Sequence, residues 1–266
     1  MSLRKNPFVF FPLVLLLTGI FLAAGVFADA GPSGATVSAG VPNRSSADSA
    51  QTALAFAGNI TQLTLGGYTI TQTWQGYWGN VSGTITLRDS SNNTLYNWTL
   101  ASPTGEVYAS TNNSITWKSI QCFNFTATGN YSTSGEQAGN YSINGTNLTT
   151  LETRFNISSS DADGVNETFH LLGAGTHDAF NTGSVAFSAG KCQSTRVFDN
   201  TGAVSDHFEE ALLYEPVSTS VIFVSLLEQD LTGFNGATAD FESLVLENGH
   251  GSDNQATTYY FYLEVQ

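Results

Sequence analysis

The chain has 266 residues with 8 Lys+Arg against 22 Asp+Glu, a formal net charge of −14. Twelve of the acids, and no Lys or Arg, fall from Phe198 to the end. A phosphate-binding surface needs clustered cations, so this balance argues against nucleic acid as a partner; the acidity itself speaks to solubility rather than to fold.

Residues 1–30 read as an export signal. Arg4 and Lys5 form a positive front, Phe8 to Phe27 is almost wholly apolar, and Ala28-Asp29-Ala30 offers a small-X-small cleavage site, which would start the mature chain at Gly31. The apolar run is also long enough to stay as an uncleaved anchor, but no second run of that length follows, so no membrane span is expected after cleavage. Residues 31–57 are small and polar, with Pro32 and Pro42, and read as a flexible N-terminal extension. A sharper reading makes the alternating Ala35-Thr-Val-Ser-Ala-Gly-Val41 a donor strand for the sheet of a neighbouring copy.

Residues 58–266 read as a β-sandwich domain. Leu63, Leu65, Tyr68 and Ile70 open the alternating pattern, and Trp74-Gln-Gly-Tyr-Trp-Gly79 follows. Buried, these aromatics are core, with the glycines letting strands approach; exposed, Trp74, Tyr77 and Trp78 would stack on pyranose rings. Asn80 to Leu100 reads as a hairpin with Asp89-Ser-Ser-Asn-Asn93 at its turn, and Ile85 and Leu87 on one face against Thr84 and Thr86 on the other.

Further strands are predicted at Ile115–Trp117, Cys122–Thr126, Arg154–Ile157, Ser184–Phe187, Val217–Leu227, Phe241–Leu246 and Thr257–Val265. Val221 to Leu227, apolar but for Ser225, suits a strand buried on both faces. The single predicted helix is Asp206–Tyr214, where Asp206 can cap and Phe208, Leu212 and Leu213 share a side. Short strands separated by Gly, Asn and Ser turns predict an all-β antiparallel sandwich, as one large or two fused jelly-roll or Ig-like sheets, with at most one short helix.

Asn-X-Ser/Thr sequons are the densest local signal. There are 13: Asn43, Asn59, Asn80, Asn92, Asn97, Asn112, Asn124, Asn130, Asn140, Asn144, Asn147, Asn156 and Asn166. None follows Asn166, so the domain divides into a sequon-rich part to about residue 166 and an acidic, sequon-free part after it. In an exported chain each is a candidate N-glycan site at the surface. The two cysteines, Cys122 and Cys192, predict one disulfide, since two thiols without neighbouring histidines do not complete a zinc site. If Phe123 and Phe125 face the core, however, Cys122 and the sequon Asn124 share the outer face.

Candidate chemistry is sparse. No nucleophile elbow, zinc helix or phosphate loop occurs, and His170, His177, His207 and His250 are dispersed. Asp161 to Glu167 loosely matches a Ca²⁺ loop but lacks the distal bidentate Glu, so a turn is the expectation and no cofactor is assigned.

The runs Gly58-Asn-Ile-Thr, Trp74-Gln-Gly-Tyr-Trp-Gly-Asn-Val-Ser-Gly83, Asn93-Thr-Leu-Tyr-Asn-Trp98 and Gly105-Glu-Val-Tyr-Ala109, with the closing Thr-Tyr-Tyr-Phe-Tyr-Leu-Glu, resemble a pattern in secreted archaeal surface proteins. The resemblance implies a heavily N-glycosylated envelope or extracellular-filament role and transfers no catalytic residue. The expectation is a structural or adhesive cell-surface glycoprotein, not an enzyme, that self-assembles into a homopolymer or lattice. The alternatives are a secreted carbohydrate-binding module that recognises surface glycans and a glycoside hydrolase using two of the many acids.

Overall fold

The computed structural model describes residues 31–46, 48–125, 147–197, 208–248 and 256–265. The export segment, Asn130, Asn140, Asn144, His207 and His250 lie outside the described residues. No described helix is long and apolar enough to cross a membrane.

The architecture is all-β, antiparallel and sandwich-like. In chain order the strands are β1 Ser33–Gly34, β2 Trp74–Gly79, β3 Gly83–Arg88, β4 Thr94–Leu100, β5 Gly105–Ser110, β6 Gln121–Cys122, β7 Phe180–Thr182 and β8 Val185–Phe187. They continue with β9 Ser194–Arg196, β10 Glu209–Glu215, β11 Ser220–Leu226, β12 Leu231–Thr232, β13 Thr238–Ala239, β14 Phe241–Leu246 and β15 Tyr260–Val265. Two short helices, α1 Leu148–Arg154 and α2 Val165–Thr168, sit between β6 and β7.

A seven-stranded sheet in the order β1-β15-β5-β11-β10-β6, with β9 also on β10, forms the middle layer. Alternation along its central strands fills two cores. Ala109, Leu212, Tyr214, Val221 and Phe223 face one side, where Trp74 of β2, Val245 and Leu246 of β14, Leu151 of α1 and Phe169 cover them. Tyr108, Ala211, Leu213, Ile222 and Val224 face the other, under Ile120, Phe180, Phe187 and the cysteines. A sheet covered on both faces needs apolar side chains at successive positions, which is why β10 and β11 are buried along their whole length.

That double burial corrects the helix expected at Asp206–Tyr214. Residues 209–215 are β10, and the clustered leucines that imitated a helical face serve opposite cores. The helix falls instead at α1, whose N-cap is Asn147: its Oδ1 accepts the Thr150 N–H at 2.9 Å. The strand expected at Arg154–Ile157 is therefore the end of that helix, and α2 makes a second short helix where at most one was expected. Ile115–Trp117 runs into a 3₁₀ turn at Trp117–Ser119, and the strand expected from Cys122 extends over Gln121–Cys122 alone. The alternating residues from Leu63 to Thr73 join no ladder; at their end the Thr73 carbonyl accepts the Glu247 N–H at 2.8 Å, just before β2 begins.

Cys122 and Cys192 form the expected disulfide, closing a separation of 70 residues. Cys122 faces the second core while Phe123 faces the first, and because β6 ends at Cys122 no strand alternation carries on to put Asn124 on the same face. In the chain-entropy account such a crosslink contributes about 4 kcal/mol. Replacing both cysteines by Ser should lower the thermal midpoint substantially without altering the β content measured by circular dichroism at low temperature. An unchanged midpoint would show that the crosslink does not constrain the unfolded chain.

Candidate aromatic groove and buried carboxyls

The β2–β14 pair covers one face of the sheet in register from Phe241↔Gly79 to Leu246↔Trp74. Its outer portion, with Phe234 from the β12–β13 connection, Glu167 to Leu171 and Thr195 to Val197, surrounds a groove of about 610 Å³. A two-residue exchange of backbone hydrogen bonds between Leu171 and Ser194, both at 3.0 Å, lays the post-helix segment beside β9 and closes that wall.

The three aromatics of the Trp74–Gly79 run have separate roles. Trp74 is half-buried core: it packs on Phe169 and Phe223, and its Nε1–H donates to the Asp163 carbonyl at 2.7 Å. Tyr77 stands edge-on to Phe261, at 5.2 Å between ring centroids. Trp78 lines the groove with 45% of its surface exposed, edge-on to Phe234 at 5.7 Å. Phe234 is placed by its own N–H, which donates to Glu242 Oε1 at 2.6 Å. Of the expected set Trp74, Tyr77 and Trp78, Trp74 is turned into the core, while Tyr77 and Trp78 both line the groove, where the exposed Phe234 joins them. Phe234 escaped sequence reading because it lies in a turn far from the aromatic run.

The groove is polar at its margins. His170 Nδ1 lies 2.9 Å from the Glu167 carbonyl oxygen. Arg196 pairs with Glu209 at 3.7 Å and also donates to the Gly175 carbonyl, which ties the groove's cation to the wall. Apolar ring surface beside a few hydrogen-bonding groups suits a neutral, hydroxyl-rich or aromatic small molecule.

Beneath the opposite face of the sheet lies a second arrangement. Glu106 and Glu264 are directly paired across β5 and β15, and both are buried. The Tyr108 hydroxyl approaches Glu264 Oε2 at 3.3 Å and Glu106 Oε2 at 3.5 Å, with Thr182 Oγ1 at 3.2 Å and the Asn181 carbonyl at 3.1 Å. The Gly183 N–H donates to Glu264 Oε2 at 2.9 Å. Burial, and then the charge of Glu264, push the Glu106 carboxyl up to about 8. Gly105 lets this register form: its φ is +126°, and a Cβ there would stand 2.1 Å from the Glu264 carbonyl oxygen.

On the other face Glu210 is wholly buried. It accepts from Ser243 Oγ at 2.7 Å and from the Leu244 N–H at 2.9 Å, and burial pushes it up to about 8 in spite of these bonds. Burial likewise raises Glu209 to about 7. Neither Glu106 nor Glu264 lines the groove, where the acids are Glu167 and Glu242.

The remaining sequence candidates are structural. His177 is buried, with Nδ1 at 2.7 Å from the Asp178 carbonyl oxygen and Nε2 accepting the Cys192 N–H at 3.0 Å. Asp161 and Asp163 shape a turn: Asp161 Oδ2 accepts the Ser158 N–H, and Asp163 accepts the Thr71 hydroxyl. No group of three metal-ligating side chains is found among the described residues. Of the described sequon asparagines, Asn43, Asn59, Asn80, Asn92, Asn97, Asn156 and Asn166 are exposed, whereas Asn112, Asn124 and Asn147 are half-buried. Asn92 and Asn156 also have φ of 65° and 56°, a left-handed conformation that Asn tolerates better than most residues.

The raised carboxyls set a pH dependence. Their unfolded value is near 4.5 and Glu106 and Glu210 reach about 8 when folded, so the folded state holds protons that the unfolded chain releases between those values. Their contribution is complete below pH 4.5 and lost as pH rises through 8. Thermal melts should give a higher midpoint at pH 5 than at pH 8, and Glu210→Gln should flatten the slope; a midpoint that rises across this window would contradict the assignment. No known family pattern, curated protein or solved structure matches this chain.

Proposed function

We propose that this chain is a secreted, N-glycosylated structural subunit of the cell surface that assembles with copies of itself through its N-terminal arm. The observation that carries the reading is the state of residues 36–72. The described residues among them, 36–46 and 48–72, form no ladder, and Val41, Leu54, Phe56, Ile60, Leu65 and Tyr68 are exposed by 53–102%. Water-facing apolar side chains at this density are costly in isolation and favour a covering surface.

A matching surface exists on the β3–β4 hairpin. Ile85 pairs with Trp98 and Leu87 with Tyr96, which puts all four on one face, and each is 48–59% exposed. The opposite face carries Thr84, Thr86, Thr99 and the sequon Asn97. A glycan at Asn97 keeps that side in water and leaves the apolar side to a partner. At its N-terminal root the arm is tied to its own body by the two-residue β1, through Ser33↔Leu263, Gly34↔Tyr262 and the Ala35 N–H to the Phe261 carbonyl. The disulfide and the export-type leader support an oxidising compartment outside the cell.

Electron microscopy and sedimentation of the chain purified from producing cells test this. The unaltered chain should form filaments or a lattice, and Leu54→Ser, Phe56→Ser and Ile60→Ser combined should leave monomers with an unchanged thermal midpoint. A monodisperse monomer from the unaltered chain, or undiminished assembly of the triple variant, would remove the arm from the account.

A further inference from the structure

We propose that the aromatic groove seats the first sugars of an N-linked glycan carried by Asn166 of the same chain. The inference rests on the reading of the chain as a glycoprotein and goes beyond it in giving one glycan a structural place. Asn166 is exposed on α2, and the next two residues of its sequon, Glu167 and Thr168, both line the groove. A sugar joined to Asn166 therefore starts at the rim, one residue from the lining.

The lining has the chemistry such a sugar needs. Trp78 and Phe234 remain 45% and 54% exposed although Trp74, Phe169 and Phe223 nearby are packed into the core. Pyranose C–H faces cover aromatic rings well, and burying them there removes apolar surface of both partners from water. The volume of about 610 Å³ lies within the range of small-ligand sites, enough for a few sugar units rather than a folded partner. His170 Nε2, whose ring partner Nδ1 is engaged by Glu167, has no hydrogen-bond partner among the described residues and suits a hydroxyl. Arg196 is already paired with Glu209, so no spare cation invites an acidic sugar, and neutral sugars are the class that fits.

Four forms of the full chain from glycosylating cells test this: unaltered, Asn166→Gln, Trp78→Ala and the double variant. Both replaced side chains are exposed, which keeps the core out of the comparison. Glycopeptide mass spectrometry should find Asn166 occupied. Each single change should lower the midpoint by about 2–4 °C and the double change by no more, the signature of one shared contact. Glycan removal by an amidase should reproduce the Asn166→Gln midpoint and shift the Trp emission of the unaltered chain, a shift that the Trp78→Ala form should not show. Occupancy elsewhere with Asn166 bare would overturn the inference alone. So would additive losses with unchanged emission, or a free oligosaccharide binding the groove of the Asn166-occupied chain. A chain without sugar at any sequon would remove the glycoprotein reading and the inference together.

Discussion

The fold depends on a sheet that must satisfy two cores at once. β5, β10 and β11 are covered on both faces, so no position along them is free to point a polar group into water. Two glutamates that nevertheless occur there, Glu106 and Glu210, are held by hydrogen bonds and by protons retained at the pH where an exposed carboxyl is ionised. Glu106 and Glu264 face each other in register, and one proton between them avoids two like charges in a dry place. Stability and charge state are thus coupled at the centre of the molecule rather than at its acidic surface.

Strands with one clear alternation were legible from sequence. β14 and β15 fall within their predicted spans, and β11 was readable as a strand buried on both sides because its residues are β-branched or large and almost all apolar. β10 was not, since Glu-Glu-Ala-Leu-Leu-Tyr has good helix formers and its strand character comes from pairing with β11, β6 and β9. β5 was hidden for a similar reason: Glu106 is polar in a buried place. The disulfide followed from counting, yet its burial within a second core could not be foreseen while one face of the sheet was assumed open.

The groove was half legible. Trp78 stood out by its neighbours in the chain, but what makes a concavity there is Phe234, His170 and Arg196, brought together by β9, β14 and the segment after α2. Asn147 shows how one residue carries two signals. It is both a sequon and the N-cap of α1, and the cap went unread because the sequon was more conspicuous.

The unequal roots of the arm have a mechanical consequence. Residues 36–72 are anchored at one end by the two-residue β1 and at the other by the six-residue β2, paired along its length with β14. Tension on the arm is shared by both roots, and the shorter one yields first. Peeling Ser33 and Gly34 from β15 pays out slack while both cores stay closed, so the junction gives under load before the body does.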